Sequence, residues 1–399
     1  MHQLRSVRPR PPPGARRARV RLGNAGVPDP HGHIGRRFRG TRLSDSAGAT
    51  PQGAILVAAS HLKDFTVRVF RALGMPEGDA GLMGDHITWA HAHGHAWLGA
   101  PKIIQYGTRI RTGASSPIDR TAVVSETGAF TLLDARDAFS QIAGVRAMEL
   151  AIRKAGEIGA AVSVVRNTTS AGSLGYFALL AAERGMIGMA NNNAPALMPP
   201  WGGTTKLIGN QAFAVASPAG RHDPVLLDMA LSEMTLVRYH EYEERGEQLP
   251  EGVALDATGR PTTDPTEALA GMMVPMGGHR GYGLAVMWEV LTGVLSGSLR
   301  FLDEVTMPGV FDRPQAVSMF FLAISPEMSM PYEEFVDRVD SLVDRVHSSP
   351  PAPGVERVYV PGERSARVAR DRMRDGIPMP PSLVADLAGF GAEIGVPWE

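Results

Sequence analysis

Residues 162–176 read VSVVRNTTSAGSLGY. The β-branched run 162–165 predicts a strand, 168–172 supplies turn chemistry, and Leu174 with Tyr176 opens a helix. Ser170 stands at the centre of that turn. Upstream, 144–159 (GVRAMELAIRKAGEIG) has the spacing of an amphipathic helix that feeds the strand directly. Downstream, LGYFALLAAERGMIGMANNN predicts helix, glycine stop and strand. Helices and strands alternating in this way predict an α/β layer in which several strands are buried on both faces. NQAFAVASPA, DPVLLDMALS and MFFLAIS add further strands, and AVVSETGAFTLLDA reads as a strand pair.

Ahead of this layer the periodicity is helical. After a strand-like start near Ala54, Leu62, Phe65, Val69, Phe70 and Leu73 fall on one helical face, with Ser60 as an N-cap candidate and Gly74 as the stop. A second helix is predicted from Pro76 to Gly94, and Ile103, Tyr106 and Ile110 mark a third that ends at Gly113. Near the C-terminus YEEFVDRVDSLVDRVHSS predicts a helix with Phe335, Val339, Leu342, Val343 and Val346 on its apolar face, and a last helix precedes Gly395. These spans give an extension at 1–53, a helical unit from 54–117, an α/β domain at 118–329 and a helical C-terminal stretch at 330–399.

The chain has 399 residues, 44% hydrophobic and 20% charged, with a formal net charge of −1. That length exceeds what one core comfortably serves, about 250–300 residues. The charge balance argues for neither a nucleic-acid binder nor a membrane-surface protein. Cysteine is absent, which excludes disulfides, thiol nucleophiles and thiolate metal sites. No apolar run is long enough to span a bilayer, so a cytoplasmic location is expected. The near-neutral total conceals an Arg- and Pro-rich segment at 1–43 whose only acid is Asp29. It buries too little to offset its ordering entropy, so disorder is expected. A basic nucleic-acid arm or a targeting peptide are its functional readings, and a floppy extension outweighs both.

His86, His91, His93 and His95 crowd one segment. His91 and His95 have i, i+4 spacing, but no HExxH accompanies them and Gly94 interrupts the helix, so no metal is expected. Exposed histidines with one pocket residue is the reading preferred. Residues 277–283, GGHRGYG, lead into a helix and place backbone amides and Arg280 where an anion is held, although glycines also serve turns and packing. Neither GxGxxG after a strand nor a P-loop is present. Asn191 to Asn193, Asn210 with Gln211, and Asp228 with Ser232 follow predicted strand ends, positions that line ligand crevices in α/β layers.

Taken in order, MPEGDAGLMGDHITWAHAHGH, KAGEIGAAVSVVRN, GYFALLAAERGMIGMANNNAPALMPPWGG, VLLDMALS, LPEGVALDATGRPTTDP, PMGGHRGYGLAVMWEVLTGVLSG and PGERSARVARDRMRDGIPM resemble the malate/L-lactate dehydrogenase family. That family includes sulfolactate, ureidoglycolate and diketogulonate dehydrogenases and cyclic ketimine reductases. The resemblance covers nearly everything after residue 55. It implies a non-Rossmann NAD(P)-binding mixed sheet flanked by helices, with a helical unit formed from both chain ends, usually as a homodimer. It also implies NAD or NADP as cofactor, a small-molecule substrate and no nucleic acid.

Carried over residue by residue, the resemblance also shows departures. AHAHGHAWLG matches a family segment that supplies a Ser-His pair and a later Arg; Trp97, Leu98 and Lys102 stand there instead. The family's proton-exchanging His is Ser170 here, and the Lys of its glycine-rich turn is Arg280. Ser170, Asp228 and His95 are the catalytic candidates; Trp97, Lys102 and Asn210 the substrate candidates. Gly172, Asn193, Asp228, Met229, Ala230, Ser232, His279, Arg280 and Gly281 are the cofactor candidates. A serine hydroxyl does not titrate near neutral pH and cannot replace the histidine unaided. Proton exchange then runs through Ser170 and water, through His95, or through His279. The expected function is a divergent NAD(P)-dependent oxidoreductase acting on a carbonyl, hydroxy or cyclic imine compound, with a specialised biosynthetic pathway as one setting. A member that kept the fold as a binding subunit or non-redox enzyme is the alternative.

Overall fold

Ile55–Val57 forms a short strand, β1, and Ala59–Ala72 the first helix, α1. Leu62, Phe65, Val69 and Phe70 are fully buried on one α1 face, as their spacing requires. Ser60 lies inside the first turn, while Ala58 is the cap residue. Two more helices follow, α2 (Glu77–Ala92) and α3 (Pro101–Arg111), closed by Gly94 and Gly113 at positive φ. The structure is a computed structural model and describes residues 53–298 and 300–399. Of the expected N-terminal extension, all but Gly53 lies outside the described residues.

The α/β layer begins with the hairpin β2 (Ala122–Thr127) and β3 (Phe130–Asp134). Helix α4 (Ser140–Ile158), strand β4 (Ala160–Thr168), helix α5 (Leu174–Ala182) and strand β5 (Ile187–Asn192) follow. Then come β6 (Phe213–Ser217), β7 (Val225–Met229) and a small lobe of α6 (Leu236–Arg245), β8 (Ala254–Leu255), β9 (Pro261–Thr262), α7 (Pro265–Ala270) and β10 (Met272–Met273). Helix α8 (His279–Glu289) runs on as a π turn over Val290–Val294. Strand β11 (Val317–Ile324), α9 (Tyr332–His347), α10 (Glu363–Asp375), β12 (Ile377–Met379) and α11 (Pro381–Glu393) complete the chain.

Seven strands make one mixed sheet in the order β2-β3-β4-β11-β5-β6-β7. Only β3 and β4 run parallel; every other neighbour is antiparallel. The late strand β11 sits between β4 and β5, and its side chains are buried on both faces, which accounts for the unbroken apolar run MFFLAI. Phe177 of α5 and Phe321 of β11 meet edge to face beneath α4, with ring centroids 5.6 Å apart. Gly144 leaves room for both rings.

The chain ends close the helical unit. β1 pairs antiparallel with β12, and Ala369, Ile377, Met379, Leu387 and Phe390 join Leu62, Phe65 and Ile103 in one core. Helix α9, placed with that unit by the boundary at 330, binds elsewhere. Of its predicted apolar face Val343 is buried, Phe335, Val339 and Val346 are half-buried and Leu342 is 55% exposed, while Val336 and Asp340 complete the buried stripe. Asp340 interrupts the apolar stripe because it accepts the backbone N–H groups of Gly220, Arg221 and His222, fixing α9 against the loop before β7.

Arg109 ties the helical unit to the approach to β11. Fully buried, it donates to Ser115 Oγ and to the carbonyls of Ala114, Val310 and Arg313. Arg109→Ala leaves those acceptors unpaired and should cost about 3 kcal/mol. Arg109→Lys should recover little, because one ammonium cannot cover four divergent acceptors. Thermal melts of the two variants measure both effects.

Candidate functional site

The turn between β4 and α5 is held by its backbone. Ser170 N–H donates to Gln315 Oε1 at 3.0 Å. Its carbonyl accepts from Ser140 Oγ at 2.6 Å, Tyr106 Oη at 3.2 Å and Gln141 Nε2 at 3.3 Å. Three elements, α3, α4 and the segment before β11, thus fix one peptide while the Ser170 side chain stays half-buried. Gly172 follows at φ +72°, where a Cβ would collide with the His86 ring. Close approach as well as conformation requires glycine there.

One residue further on, Ser173 joins two candidates that lie far apart in sequence. Ser173 Oγ donates to Asp228 Oδ2 at 3.1 Å and lies 2.6 Å from His95 Nδ1. A carboxylate can only accept, so the hydroxyl hydrogen points to Asp228 and Ser173 Oγ must accept from Nδ1–H of His95. In neutral His95 the basic nitrogen is therefore Nε2. Asp228 Oδ2 also accepts Gly175 N–H at 2.8 Å, placing the carboxylate at the α5 N-terminus, where the helix dipole favours negative charge. Trp89 and the Asp228 carboxylate occupy the space a Cβ on Gly175 would need.

The other three histidines have structural work, contrary to the expectation of exposed side chains. His86 is fully buried against Tyr176 and Phe177, and its Nε2 lies 3.2 Å from the Ser173 carbonyl. His91 is buried and accepts Ala100 N–H, lying where Gly99 has no Cβ. His93 stacks on Trp89 with centroids 3.8 Å apart. Burial pushes all three imidazoles down to about 4, so they are neutral at pH 7 and unsuited to proton donation. Among the described residues no group of three His, Asp or Glu side chains is arranged to hold a metal.

Beyond His95, the 3-10 turn Ala96–Leu98 carries Trp97, 47% exposed, and α3 carries Lys102. Lys102 donates to Gln105 Oε1 at 2.6 Å and lies 5.9 Å from the Tyr106 ring centre. Desolvation pulls its ammonium down to about 8.

A second group lies past β7. Residues 231–233 run beside 274–276: Met276 N–H donates to the Leu231 carbonyl, Glu233 N–H to that of Val274, and Ser232 bridges Pro275. Leu231 N–H donates to the Asn210 carbonyl. The segment of Asp228, Met229, Ala230 and Ser232 thereby leads from the His95 group to the glycine-rich turn. There His279 and Arg280 are exposed, His279 against Trp201. Gly281 is required for packing, since a Cβ would meet the Met276 carbonyl. Gly277 N–H is already bound to Glu233 Oε1 at 2.7 Å, which leaves fewer amides for an anion than the sequence suggested.

Asn191 Oδ1, Gln211 Oε1 and Ser232 Oγ are buried without partners among the described residues. Asn193 is otherwise employed: its Oδ1 accepts Ser318 N–H and its Nδ2 donates to Glu289. Ser173, Gln141, Gln315 and Glu289 escaped the sequence reading. Glu289 alone carried a signal, as a single acid in the apolar run AVMWEVLTGV.

The family model for malate/L-lactate dehydrogenase matches residues 57–388. A malate dehydrogenase of Pyrococcus abyssi is 32% identical over 357 residues, covering 88% of this chain and 98% of that protein. A (2R)-3-sulfolactate dehydrogenase (NADP(+)) of Chromohalobacter salexigens is 29% identical, over 84% of this chain and 98% of its own. Among solved structures, sulfolactate dehydrogenase from Methanocaldococcus jannaschii superposes with a TM-score of 0.82 at 32% identity, covering 86% of this chain and 98% of that one. Δ1-piperideine-2-carboxylate reductase from Pseudomonas syringae gives 0.75 at 25%, covering 84% and 99%.

Proposed function

The chain belongs to the malate/L-lactate dehydrogenase family, and we propose that it is an NAD(P)-dependent oxidoreductase whose proton is handled by His95 in place of a histidine at position 170. The observation that carries this reading is the chain of hydrogen bonds from Asp228 through Ser173 to His95 Nδ1. Bound NADH or NADPH would supply the hydride in reduction, and NAD⁺ or NADP⁺ would accept it in oxidation. His95 Nε2 gives a proton to the substrate oxygen or nitrogen in reduction and takes it back in oxidation. The imidazolium formed is stabilised by Asp228 through the Ser173 hydroxyl, which also fixes the ring's orientation.

Trp97 and Leu98 give the substrate side an apolar wall, and Lys102 offers a single point charge where the family has an arginine fork. A carbonyl or cyclic imine compound larger and more apolar than malate suits that combination, as in a specialised biosynthetic pathway. An iminium carbon accepts hydride without simultaneous protonation, so an imine tolerates the missing histidine best. Ser232, Met229 and Ala230, with Arg280 and His279 at the α8 start, would hold the cofactor, and Asn210 the substrate. Fluorescence titration with NADH and NADPH tests the reading, followed by a screen of 2-oxoacids and cyclic imines. Affinity for neither nucleotide would end it.

The lowered position of Lys102 sets a pH dependence. Below about pH 8 the ammonium is charged, and above it the charge is lost. Affinity for an anionic substrate should therefore fall tenfold per pH unit above pH 8, with Lys102→Arg removing the break; log(1/KM) against pH reads both. A homodimer belongs to the same proposal, supported by the apolar side chains that α8 and its π turn leave exposed, Leu284, Met287 and Val294. Light scattering should report a dimer for the wild type and a monomer for Met287→Glu.

A further inference from the structure

We infer that Trp89 is the positioning residue of the proton relay: its indole sets the plane of the His95 ring, which the single contact to Ser173 leaves free to turn. This rests on the reading of His95 above.

The crowd of histidines gains its sense from the way α2 ends. Gly94, at φ +90°, donates its N–H to the His91 carbonyl at 3.2 Å, and His95 donates its own to the Ala90 carbonyl at 2.9 Å. That pair of bonds is the Schellman motif, which packs the residue after the glycine against side chains of the last helical turns. Here the residue after the glycine is His95 and the side chain it meets is Trp89, edge to face, with ring centroids 6.1 Å apart. Helix α10 secures the cap from outside: Arg372 donates to the His91 carbonyl at 2.8 Å and Ser365 Oγ to that of His93 at 2.9 Å. The main chain of His95 is thus fixed by its own helix and by a second one.

The indole has little freedom of its own. His93 stacks on it with planes 22° apart, held by its Nδ1–H on the Trp89 carbonyl at 2.9 Å, and Tyr176 packs edge-on with centroids 5.9 Å apart. A Cβ on Gly175 would lie 3.1 Å from Trp89 Cη2 and 2.8 Å from Asp228 Oδ2, so the indole borders the relay at Asp228 as well as at His95. Burial keeps His93 neutral at pH 7, so the stack sets no second charge beside an imidazolium at His95. A hydrogen bond to one ring nitrogen fixes a point and not a plane. Ser173 Oγ locates Nδ1, but rotation about that contact swings Nε2, and a misplacement of about 1 Å costs about 10² in rate. Packing against Trp89 is the second constraint.

The test is a double-mutant cycle on the full chain, reading kcat and the cofactor KM with the 2-oxoacids and cyclic imines of the screen above, phenylpyruvate and Δ1-piperideine-2-carboxylate among them. Trp89→Leu should lower kcat about tenfold with the cofactor KM unchanged, and Trp89→Phe should restore most of the loss. In a His95→Gln background Trp89→Leu should cost nothing further, because a residue that acts through His95 has nothing left to position. General damage to the fold lowers kcat by the same factor in both backgrounds. That result, or a Trp89→Leu enzyme with the wild-type kcat, overturns the inference while the His95 reading stands. A His95→Gln enzyme that keeps the wild-type rate, or a wild type that turns over none of the compounds, overturns the reading and the inference with it. Should Trp89→Leu not fold, Gly94→Ala, which strains the same cap, takes its place in the cycle with the same outcomes.

Discussion

Ser170→His is expected to raise the rate of 2-oxoacid reduction by about 10²-fold in a His95→Gln background, with little change in stability, because a positioned acid is worth about 10² to 10⁴ in rate. The physical ground is the pinned peptide. Gln315, Ser140, Tyr106 and Gln141 hold Ser170 by its main chain, so a new side chain inherits a fixed origin without competing for those bonds. Since the Ser170 side chain is half-buried, an imidazole can be admitted without displacing the core. The gain should appear in kcat at saturating cofactor, with nucleotide affinity unchanged, because the substitution leaves Ser232 and the glycine-rich turn alone. If activity does not rise although NADH binds as in wild type, the proposed apolar wall of Trp97 and Leu98 would be what excludes small oxoacids. The variant that adds Trp97→Ser and Leu98→His should then show the increase.

Periodicity carried much of the fold because local spacing records burial. Leu62, Phe65, Val69 and Phe70 declare the α1 face, and Gly74, Gly94, Gly113 and Gly159 declare helix ends by their need for positive φ. Sheet order is not recorded that way. MFFLAI announces a strand buried on both faces but not that it lies between β4 and β5, because those pairings reach back across more than 120 residues. Asp340 shows the same limit: a carboxylate at a core position looks like a phase error in the helix until the three loop amides it accepts are seen.

The candidate site divides along the same line. Ser170 and Asp228 could be picked out from turn chemistry and strand ends, whereas Ser173, the atom between Asp228 and His95, is an unremarkable helix-preceding serine. Its role depends on β7 delivering a carboxylate to the α5 N-terminus. Asn193 shows the converse, a polar strand-end residue spent on Ser318 and Glu289. The crowd of histidines misled for a related reason: spacing does not distinguish a ring packed against Phe177 from one backed by a carboxylate.

The relay makes the second large prediction. His95→Gln should lower kcat by about 10² to 10³, Asp228→Asn by somewhat less, and Ser173→Ala least, since water can stand in for a hydroxyl between two partners that remain. The order follows from the chemistry. Removing His95 removes the proton, removing the Asp228 charge leaves the imidazolium unsupported, and removing Ser173 Oγ lengthens the link. A loss of kcat at unchanged NADH affinity separates this from structural damage. A His95→Gln enzyme that keeps the wild-type rate would return the proton to Ser170 and water. Asp228→Asn has an added consequence, because it also removes a charge from the α5 N-terminus, where Gly175 N–H and the dipole favour an anion. That variant should therefore lose thermal stability as well as rate, on the order of 1 kcal/mol. Ser173→Ala, which leaves Asp228 on Gly175, should lose rate with little loss of stability.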